Sequence, residues 1–283
     1  MGDGLLSGLE ALGISGLEGM SLYEEEKKAE KPDAPATKAG PVFTEKDYLL
    51  DKTFKCPLCD TDFKNKIVKT GKAKLDHTDR DLRPIYKELD VTKYDVISCP
   101  ICGYTALSGY FPNLIQIQAT RIKEKISRSY VGKVLTGETY SYDEALERYK
   151  LALVNAVVKG AKASEKAYIC LKAAWVARGK CEEIGEKNEE YTKTKALENE
   201  YLKNAYTGFV SAISNEYFPM CGMDEITVDY IIAVLAIKTG NIDASKKMIS
   251  TILQSRVAKD RMKEMARDLR DEIDRALKAK GAL

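Results

Sequence analysis

Two copies of one CPxC phrase occur in this sequence, Cys56-Pro57-Leu58-Cys59-Asp60 and Cys99-Pro100-Ile101-Cys102-Gly103. Two cysteines separated by two residues form a tight turn that directs both sulfurs to one point. Two such knuckles that face each other supply four thiolates in a tetrahedron, the arrangement that zinc prefers in closed structural sites. The sequence therefore predicts one metal site whose ligands are Cys56, Cys59, Cys99 and Cys102.

The spacing alone does not choose the metal, because four thiolates in a tetrahedron suit zinc and iron alike. The phrase Cys102-Gly103-Tyr104 resembles a knuckle of rubredoxin, in which four cysteines hold iron for one-electron transfer. We expect zinc, since the sequence offers no second redox centre, and keep iron as the alternative. Four protein ligands leave no open position for water, so we expect neither a metal-dependent hydrolase nor a catalytic residue.

Composition restricts the class of protein. Hydrophobic residues make up 44% of the chain and charged residues 31%, which is typical of a globular protein, and no apolar run is long enough to span a membrane. The net charge of +2 does not favour an obligate nucleic-acid binder. Seven cysteines, four of them in metal spacing, fit a reducing compartment, and no secretory signal is recognised, so we expect a cytoplasmic location.

The first 41 residues divide into two segments. Residues 1–22 form a leucine- and glycine-rich arm, whose glycines oppose an isolated helix although its apolar side chains approach helical spacing. One interpretation is an arm that orders on a protein partner or a second copy of the chain, and the other is an unstructured terminus. Residues 23–41 are rich in Glu, Lys, Ala and Pro and predict a flexible linker. The candidate partner-binding residues are Leu5, Leu9, Leu12, Leu17 and Met20.

Residues 42–112 contain both knuckles and predict a small metal module. Residues 62–69 alternate as a half-exposed strand does, and a second strand at residues 94–97 would complete a ribbon with it. Between them, residues 79–89 indicate a short polar or helical insertion broken by Pro84. We expect aromatic side chains to cover the metal, since so small a module has little other core.

Residues 113–283 predict an array of helices. Three of the helices share a small-large-small phrase at spacings of four and three, which is typical of the second helix of a tetratricopeptide repeat. The alternative is an ordinary helical bundle with alanines at its contacts. The phrases are Ala145, Tyr149, Ala152; Ala205, Phe209, Ala212; and Ala244, Met248, Thr251. We expect the helices at residues 113–134, 142–158, 164–186, 189–214, 225–239, 241–254 and 259–279.

Two further groups are weaker candidates. Arg80, Arg83 and Lys87 would form a phosphate-binding patch on a nucleic-acid-binding ribbon, whereas the simpler interpretation is a solvated face. His77 is the only histidine, and on a helix it would share a face with Asp81. Its simpler interpretation is a solvated side chain.

With the knuckles and helices considered together, the chain resembles an uncharacterised bacterial family that has paired CPxC knuckles followed by tetratricopeptide-like helices. The matching residues are 56–59, 79–86, 94–96 and 99–104. The resemblance implies a metal-binding, repeat-containing protein and brings no established activity.

Taken together, the sequence predicts a mainly α-helical fold with a small β zinc-ribbon module similar to rubredoxin and a C-terminal tetratricopeptide-like array. We expect a non-enzymatic adaptor that binds a protein partner or itself, with no evident small-molecule substrate. A rubredoxin-like electron carrier and a nucleic-acid-binding ribbon are the alternatives.

Overall fold

The structure is a computed structural model that describes residues 44–132, 137–279 and Gly281. The predicted arm, residues 1–22, and the predicted linker, residues 23–41, lie outside the described residues. From Phe43 to Leu283 the chain belongs to one compact unit.

Three antiparallel hairpins precede the long helices. The first pairs β1 (Leu49–Lys55) with β2 (Asp62–Val68), the second β3 (Leu75–Thr78) with β4 (Pro84–Tyr86), and the third β5 (Val96–Ser98) with β6 (Thr105–Leu107). The prediction that β2 pairs with the strand before the second knuckle is wrong, because β2 pairs with β1 and β5 with β6. Each CPxC turn reverses the chain, so each knuckle closes its own hairpin.

The segment between the knuckles also differs from its prediction. Residues 79–89 contain no helix; they hold the tight turn after β3 and then strand β4. Leu82 adopts a φ of 65° in this turn, a conformation that reverses the chain between the two strands. Proline is compatible with the first position of a short strand, and Pro84 begins β4.

Seven α-helices follow within the described residues. They are α1 (Gln116–Ile122), which continues as a π-helical turn (Lys123–Ser127), α2 (Tyr142–Lys159), α3 (Ala163–Ile184), α4 (Glu189–Asn215), α5 (Glu225–Lys238), α6 (Ile242–Gln254) and α7 (Asp260–Ala279). The prediction of residues 113–134 as one helix is too long, while the other six agree within a few residues. No helix in the described ranges has both the length and the hydropathy that a membrane crossing requires.

Side chains at the helix starts explain where several helices begin. The Ser141 hydroxyl accepts a hydrogen bond from the Glu144 N–H at 3.1 Å, and the Glu144 carboxylate accepts one from the Ser141 N–H at 2.8 Å. This reciprocal pair satisfies two donors that the first turn of a helix leaves free. Single Asn or Asp caps begin α4, α5 and α6 at Asn188, Asp224 and Asn241.

Helix α3 lies in the centre of the helical part. All of its alanines after Ala163 are buried, and small side chains allow its neighbours to approach closely. At Gly208 of α4 an added Cβ would lie 2.8 Å from the Cβ of Ala167, so no larger residue fits there without displacing a helix.

The repeated small-large-small phrases are buried in two helices out of three. The phrases in α2 and α4 are at most 1% exposed. In α6 the phrase that begins at Ala244 is only partly buried, and its Thr251 is exposed. The buried positions of α6 are Ser245, Ile249 and Ile252, which keep the same spacing one residue later. The spacing of four and three is therefore present in α6 one residue later than predicted, but its third residue, Ile252, is large, so a small-large-small phrase is not buried there.

The two largest hydrophobic cores of the described residues cross the predicted boundary at residue 112. In the larger core, Val96 of β5 and Leu107 of β6 pack with buried residues of α2, α3 and α4. In the smaller core, Ala119 and Ile122 of α1 pack with the cysteine knuckles. Each core therefore combines side chains from both predicted modules.

Candidate metal centre

The four predicted ligands lie at one point. The Sγ atoms of Cys56 and Cys102 are 3.6 Å apart, those of Cys59 and Cys99 are 3.7 Å apart, and all four atoms lie within 4.8 Å of one another. A tetrahedron with metal–sulfur bonds of about 2.3 Å has sulfur–sulfur edges of about 3.8 Å. The sulfur positions therefore fit one tetrahedrally coordinated ion, as the sequence predicts.

The hairpins hold both knuckles in the same way. The Cys56 N–H donates to the Thr61 carbonyl oxygen at 3.0 Å, and the Cys99 N–H donates to the Tyr104 carbonyl oxygen at 2.9 Å. These bonds close the turns directly after the last paired strand residues. The geometry of each CPxC turn is thus fixed by hydrogen bonds within its own hairpin.

The centre is enclosed by apolar side chains. Cys56 and Cys99 are fully buried, while Cys59 is half-buried. Aromatic rings pack around them with centroids 4.9 to 6.4 Å apart, as expected for a module with little other core. These rings are Phe54, Phe63, Tyr104 and Phe111. The Tyr104 hydroxyl donates to the Phe111 carbonyl oxygen at 3.1 Å, which satisfies the one polar atom of a fully buried ring.

Neighbouring sulfurs shift the thiol pKa values in opposite directions. Hydrogen bonds to Cys56 and Cys99, together with burial, raise the pKa of Cys102. Hydrogen bonds from Cys102 and Cys56 lower the pKa of Cys99. One sulfur is thus stabilised as a thiolate by its neighbours, and a divalent cation would provide the same stabilisation to all four.

The chemistry of the centre follows from its ligand set. Thiolates are the donors that zinc, iron and other soft metals prefer. Four protein ligands complete a tetrahedron, so a bound ion has no free position for water or substrate. Within the described ranges, these cysteines are the one group of three or more neighbouring side chains suited to hold an ion.

The other cysteines lie apart from this centre. Cys170 and Cys181 are buried in α3, and Cys221 is half-buried in the turn before α5. Burial raises the pKa of Cys170 to about 12, so its thiol stays protonated at neutral pH. The packing of these residues supports their interpretation as spectator thiols.

The three candidate phosphate-binding residues do not share an open face. Arg83 is 3% exposed, and its guanidinium donates to both carboxylate oxygens of Glu182 at 2.8 Å. Arg80 forms an ion pair with Glu272. Lys87 is the exposed member and lies 3.5 Å from Asp76. Since the Arg83 donors already face a carboxylate, the structure gives no support to a phosphate patch on these three residues.

His77 lies on a strand and not on a helix. Its Nδ1 atom is 2.8 Å from the Asp76 carboxylate, and the ring is exposed. Asp81 is 1% exposed and faces Arg178 instead. The helical pairing of His77 with Asp81 is therefore wrong, and the solvated interpretation agrees with the structure.

The sequence analysis missed a buried charge network around Arg178 of α3. Its guanidinium lies 3.0 Å from the Asp79 carboxylate, 2.5 Å from that of Asp81 and 2.8 Å from that of Glu198 in α4. Asp81 and Glu198 are both 1% exposed. The network fastens the turn between β3 and β4 to two long helices. The one sign of this network in the sequence was a charged residue, Arg178, among the alanines of α3.

The model of a family described as "Uncharacterized protein conserved in bacteria (DUF2225)" matches residues 49–273. The match includes both knuckles and most of the helices, and it confirms the resemblance that the sequence predicted. Neither a curated protein nor a solved structure matches the chain.

Proposed function

The chain belongs to this uncharacterised bacterial family, and we propose that it is a non-enzymatic, cytoplasmic adaptor held together by structural zinc. The observation that carries the metal part is the closed set of four sulfurs, all within 4.8 Å of one another. A closed site stabilises a fold and offers no position for a reacting molecule. The adaptor part rests on the helices and the groove between them.

Zinc is supported by the surroundings of the sulfurs. The centre forms the middle of a small core that includes Leu58, Phe63 and Ile122, and structural zinc contributes on the order of 10 kcal/mol to such small folds. Iron remains the alternative, since the same sulfurs would hold it for electron transfer. Elemental analysis decides between them. We expect about one zinc and no iron per chain after expression with both metals supplied, whereas a coloured, iron-containing protein would favour the electron carrier.

The helices supply the proposed recognition surface. Successive helices from α2 to α7 are joined by short connections, and the small-large-small phrase is buried in α2 and in α4. These features support tetratricopeptide-like stacking, in which a curved surface binds an extended or helical segment of another protein.

A groove of about 640 Å³ lies among α2, α3 and α4. Leu153 and Val157 of α2 and Tyr201 of α4 give it apolar walls. Its charged lining residues are Lys150, Lys166 and Glu200, which leave a net positive charge. Val157 is 59% exposed, so an apolar side chain is available to a partner. We propose that the occupant is an amphipathic helix of a protein partner with acidic residues beside its apolar face.

A capture experiment with matched variants tests the groove. Val157→Asp places a charge in the groove, whereas Val257→Asp places the same charge at a position that is 81% exposed in the loop before α7. We expect a protein captured by the full chain and by Val257→Asp to be lost with Val157→Asp, while the circular dichroism of both variants stays unchanged. Equal capture by the two variants would argue against the groove.

The arm at residues 1–22 is proposed as a second partner-binding element, because the spacing of its apolar side chains approaches that of one face of a helix. The candidates remain Leu5, Leu9, Leu12, Leu17 and Met20. Deletion of residues 1–22 should remove one captured partner and leave the metal content unchanged. If every partner is retained after the deletion, the arm has no such role.

A further inference from the structure

A cavity beside the second knuckle has no role in the proposed metal site or groove. Its volume is about 210 Å³, and it lies where α2 meets β2 and the end of β5. Asn65, Ser98, Tyr140 and Arg148 are among the side chains that line it.

Arg148 is a buried cation in this cavity. It is 9% exposed, and its Nη2 atom makes the hydrogen bonds to the Asn65 side-chain oxygen and the Val96 carbonyl oxygen. Its Nε atom is buried without a hydrogen-bond partner. Among residues 44–132 and 137–279, no carboxylate forms an ion pair with the guanidinium. Burial lowers the pKa of Arg148, and the charge of Glu144 together with nearby tyrosines opposes that shift only in part, so the buried cation is incompletely balanced.

Two further donors of the cavity lack acceptors. The Tyr140 hydroxyl accepts a hydrogen bond from the Lys66 N–H at 3.3 Å, and its own hydrogen has no acceptor in the described part of the chain. Its ring lies 4.6 Å from the Arg148 guanidinium carbon. Lys64 also lines the cavity, and within the same ranges no carboxylate pairs with its ammonium group.

The acidic side chains of the cavity are already engaged. Glu144 accepts the Ser141 N–H at the start of α2, and Glu147 has an interaction partner as well. The cavity thus combines hydrogen-bond donors that lack acceptors with carboxylates that already have other partners. A buried donor without a partner costs free energy, and an acceptor that carries negative charge would satisfy the donors and balance the buried cation.

We propose that this cavity binds a small oxyanion, a carboxylate or a phosphate, through Arg148, Tyr140 and Lys64. The size follows from the volume, because a cavity of about 150 Å³ holds benzene. A cavity of 210 Å³ therefore accepts a ligand of roughly eight non-hydrogen atoms. Such a ligand contacts the segment that carries Cys99, since Ser98 and Pro100 line the same cavity.

Calorimetric titration of the metal-loaded full chain tests the proposal. The probes are inorganic phosphate and malonate, titrated separately in Tris chloride buffer so that no other oxyanion is present. We expect at least one of them to bind with a Kd below about 1 mM. Binding of phosphate alone or of malonate alone identifies the chemical class, and either result supports the site.

The variants separate this site from surface binding. Tyr140→Phe removes one hydroxyl and keeps the ring that stacks on Arg148, and Lys64→Ala removes one exposed charge. Each should weaken binding about tenfold, since a hydrogen bond to a charged group is lost. Lys74→Ala removes an exposed lysine that does not line the cavity and should leave the Kd unchanged. The proposal is overturned if neither probe binds at about 10 mM, roughly tenfold above the expected Kd, or if all three variants have equal affinities.

Discussion

Asp60 and Gly103 occupy the same place in the two knuckles. Each follows the second cysteine, and its N–H donates to the carbonyl oxygen of the first cysteine, at 2.9 Å for Asp60 and 3.1 Å for Gly103. Their φ angles are 61° and 72°, in the left-handed region that favours glycine. The backbone of the first knuckle is therefore strained at Asp60, whereas glycine adopts the same conformation at Gly103 without strain.

Exchange of side chains at these two positions should have opposite effects on stability. Gly103→Ala should lower the free energy of unfolding by about 1 to 3 kcal/mol, because the new Cβ would also lie 2.7 Å from the Tyr130 ring. Asp60→Gly should raise it by at most about 1 kcal/mol, since strain is relieved while an exposed ion pair with Lys55 is lost. Urea unfolding of the metal-loaded protein measures both. A lower free energy of unfolding for Asp60→Gly would contradict the structural equivalence of Asp60 and Gly103.

Loss of one metal ligand should release the ion. In Cys56→Ser and Cys99→Ser we expect the metal content to fall below about one tenth of the wild-type value. The reason is that a structural ion and the fold around it form together. The hairpins that carry the knuckles should then unfold together with the helix packing that depends on them, so the helical circular dichroism should also fall. The measurement is metal analysis of the gel-filtered variants.

Cys221→Ser is the matched control for that experiment. Cys221 is a free cysteine outside the cluster, so this variant should keep its full metal content. Equal metal loss from Cys221→Ser and Cys56→Ser would show that the cluster is not the binding site.

Removal of Arg178 should be costly. Arg178→Met leaves the nearly fully buried carboxylates of Asp81 and Glu198 without their shared cation, and breaking a buried pair on one side costs about 3 to 5 kcal/mol. Lys46→Met removes one partner of an exposed pair with Glu138 and should cost less than about 1 kcal/mol. Urea unfolding at pH 7 compares the two variants, and similar midpoints would show that the Arg178 network contributes little.

Asp229 should make stability depend on pH. It is 6% exposed, and burial raises its pKa to about 6, with a further contribution from Glu225. Because the folded-state pKa lies above the unfolded value, the folded protein holds the proton at pH 5, and stability falls as pH rises through about 6. Asp229→Asn should therefore stabilise the protein by about 1 to 2 kcal/mol at pH 7.5 and by less at pH 5. The same gain at both pH values would contradict a raised pKa.

The metal ligands and most helices were predictable because their signals are local. The CPxC turn brings its two sulfurs together within one hairpin, and the repeat of the phrase at Cys99 indicated the second half of the site. The apolar periodicity of α2, α4, α6 and α7 likewise lies within each helix. N-capping residues such as Ser141 and Asn188 also mark locally where α2 and α4 begin.

The remaining features were not predicted, for different reasons. Strand pairing was predicted across the knuckles, although each CPxC turn joins neighbouring strands at Lys55 and Asp62 or at Ser98 and Thr105. The ion pair between Arg83 and Glu182 joins residues 99 positions apart. No local pattern indicates such a partner, so Arg83 was indistinguishable from a surface base. The register of α6 was shifted because Ala244 and Ser245 are both small.

The cores that cross residue 112 limit how this protein can be divided or recombined. A fragment ending there would leave Val96 and Leu107 without the helices that cover them, and the remainder would expose Ala119 and Ile122. The metal-binding hairpins are thus not a module that can be transferred without the helices. Any gene fusion or evolutionary transfer that preserves the fold has to carry the hairpins and the first helices as one inherited block.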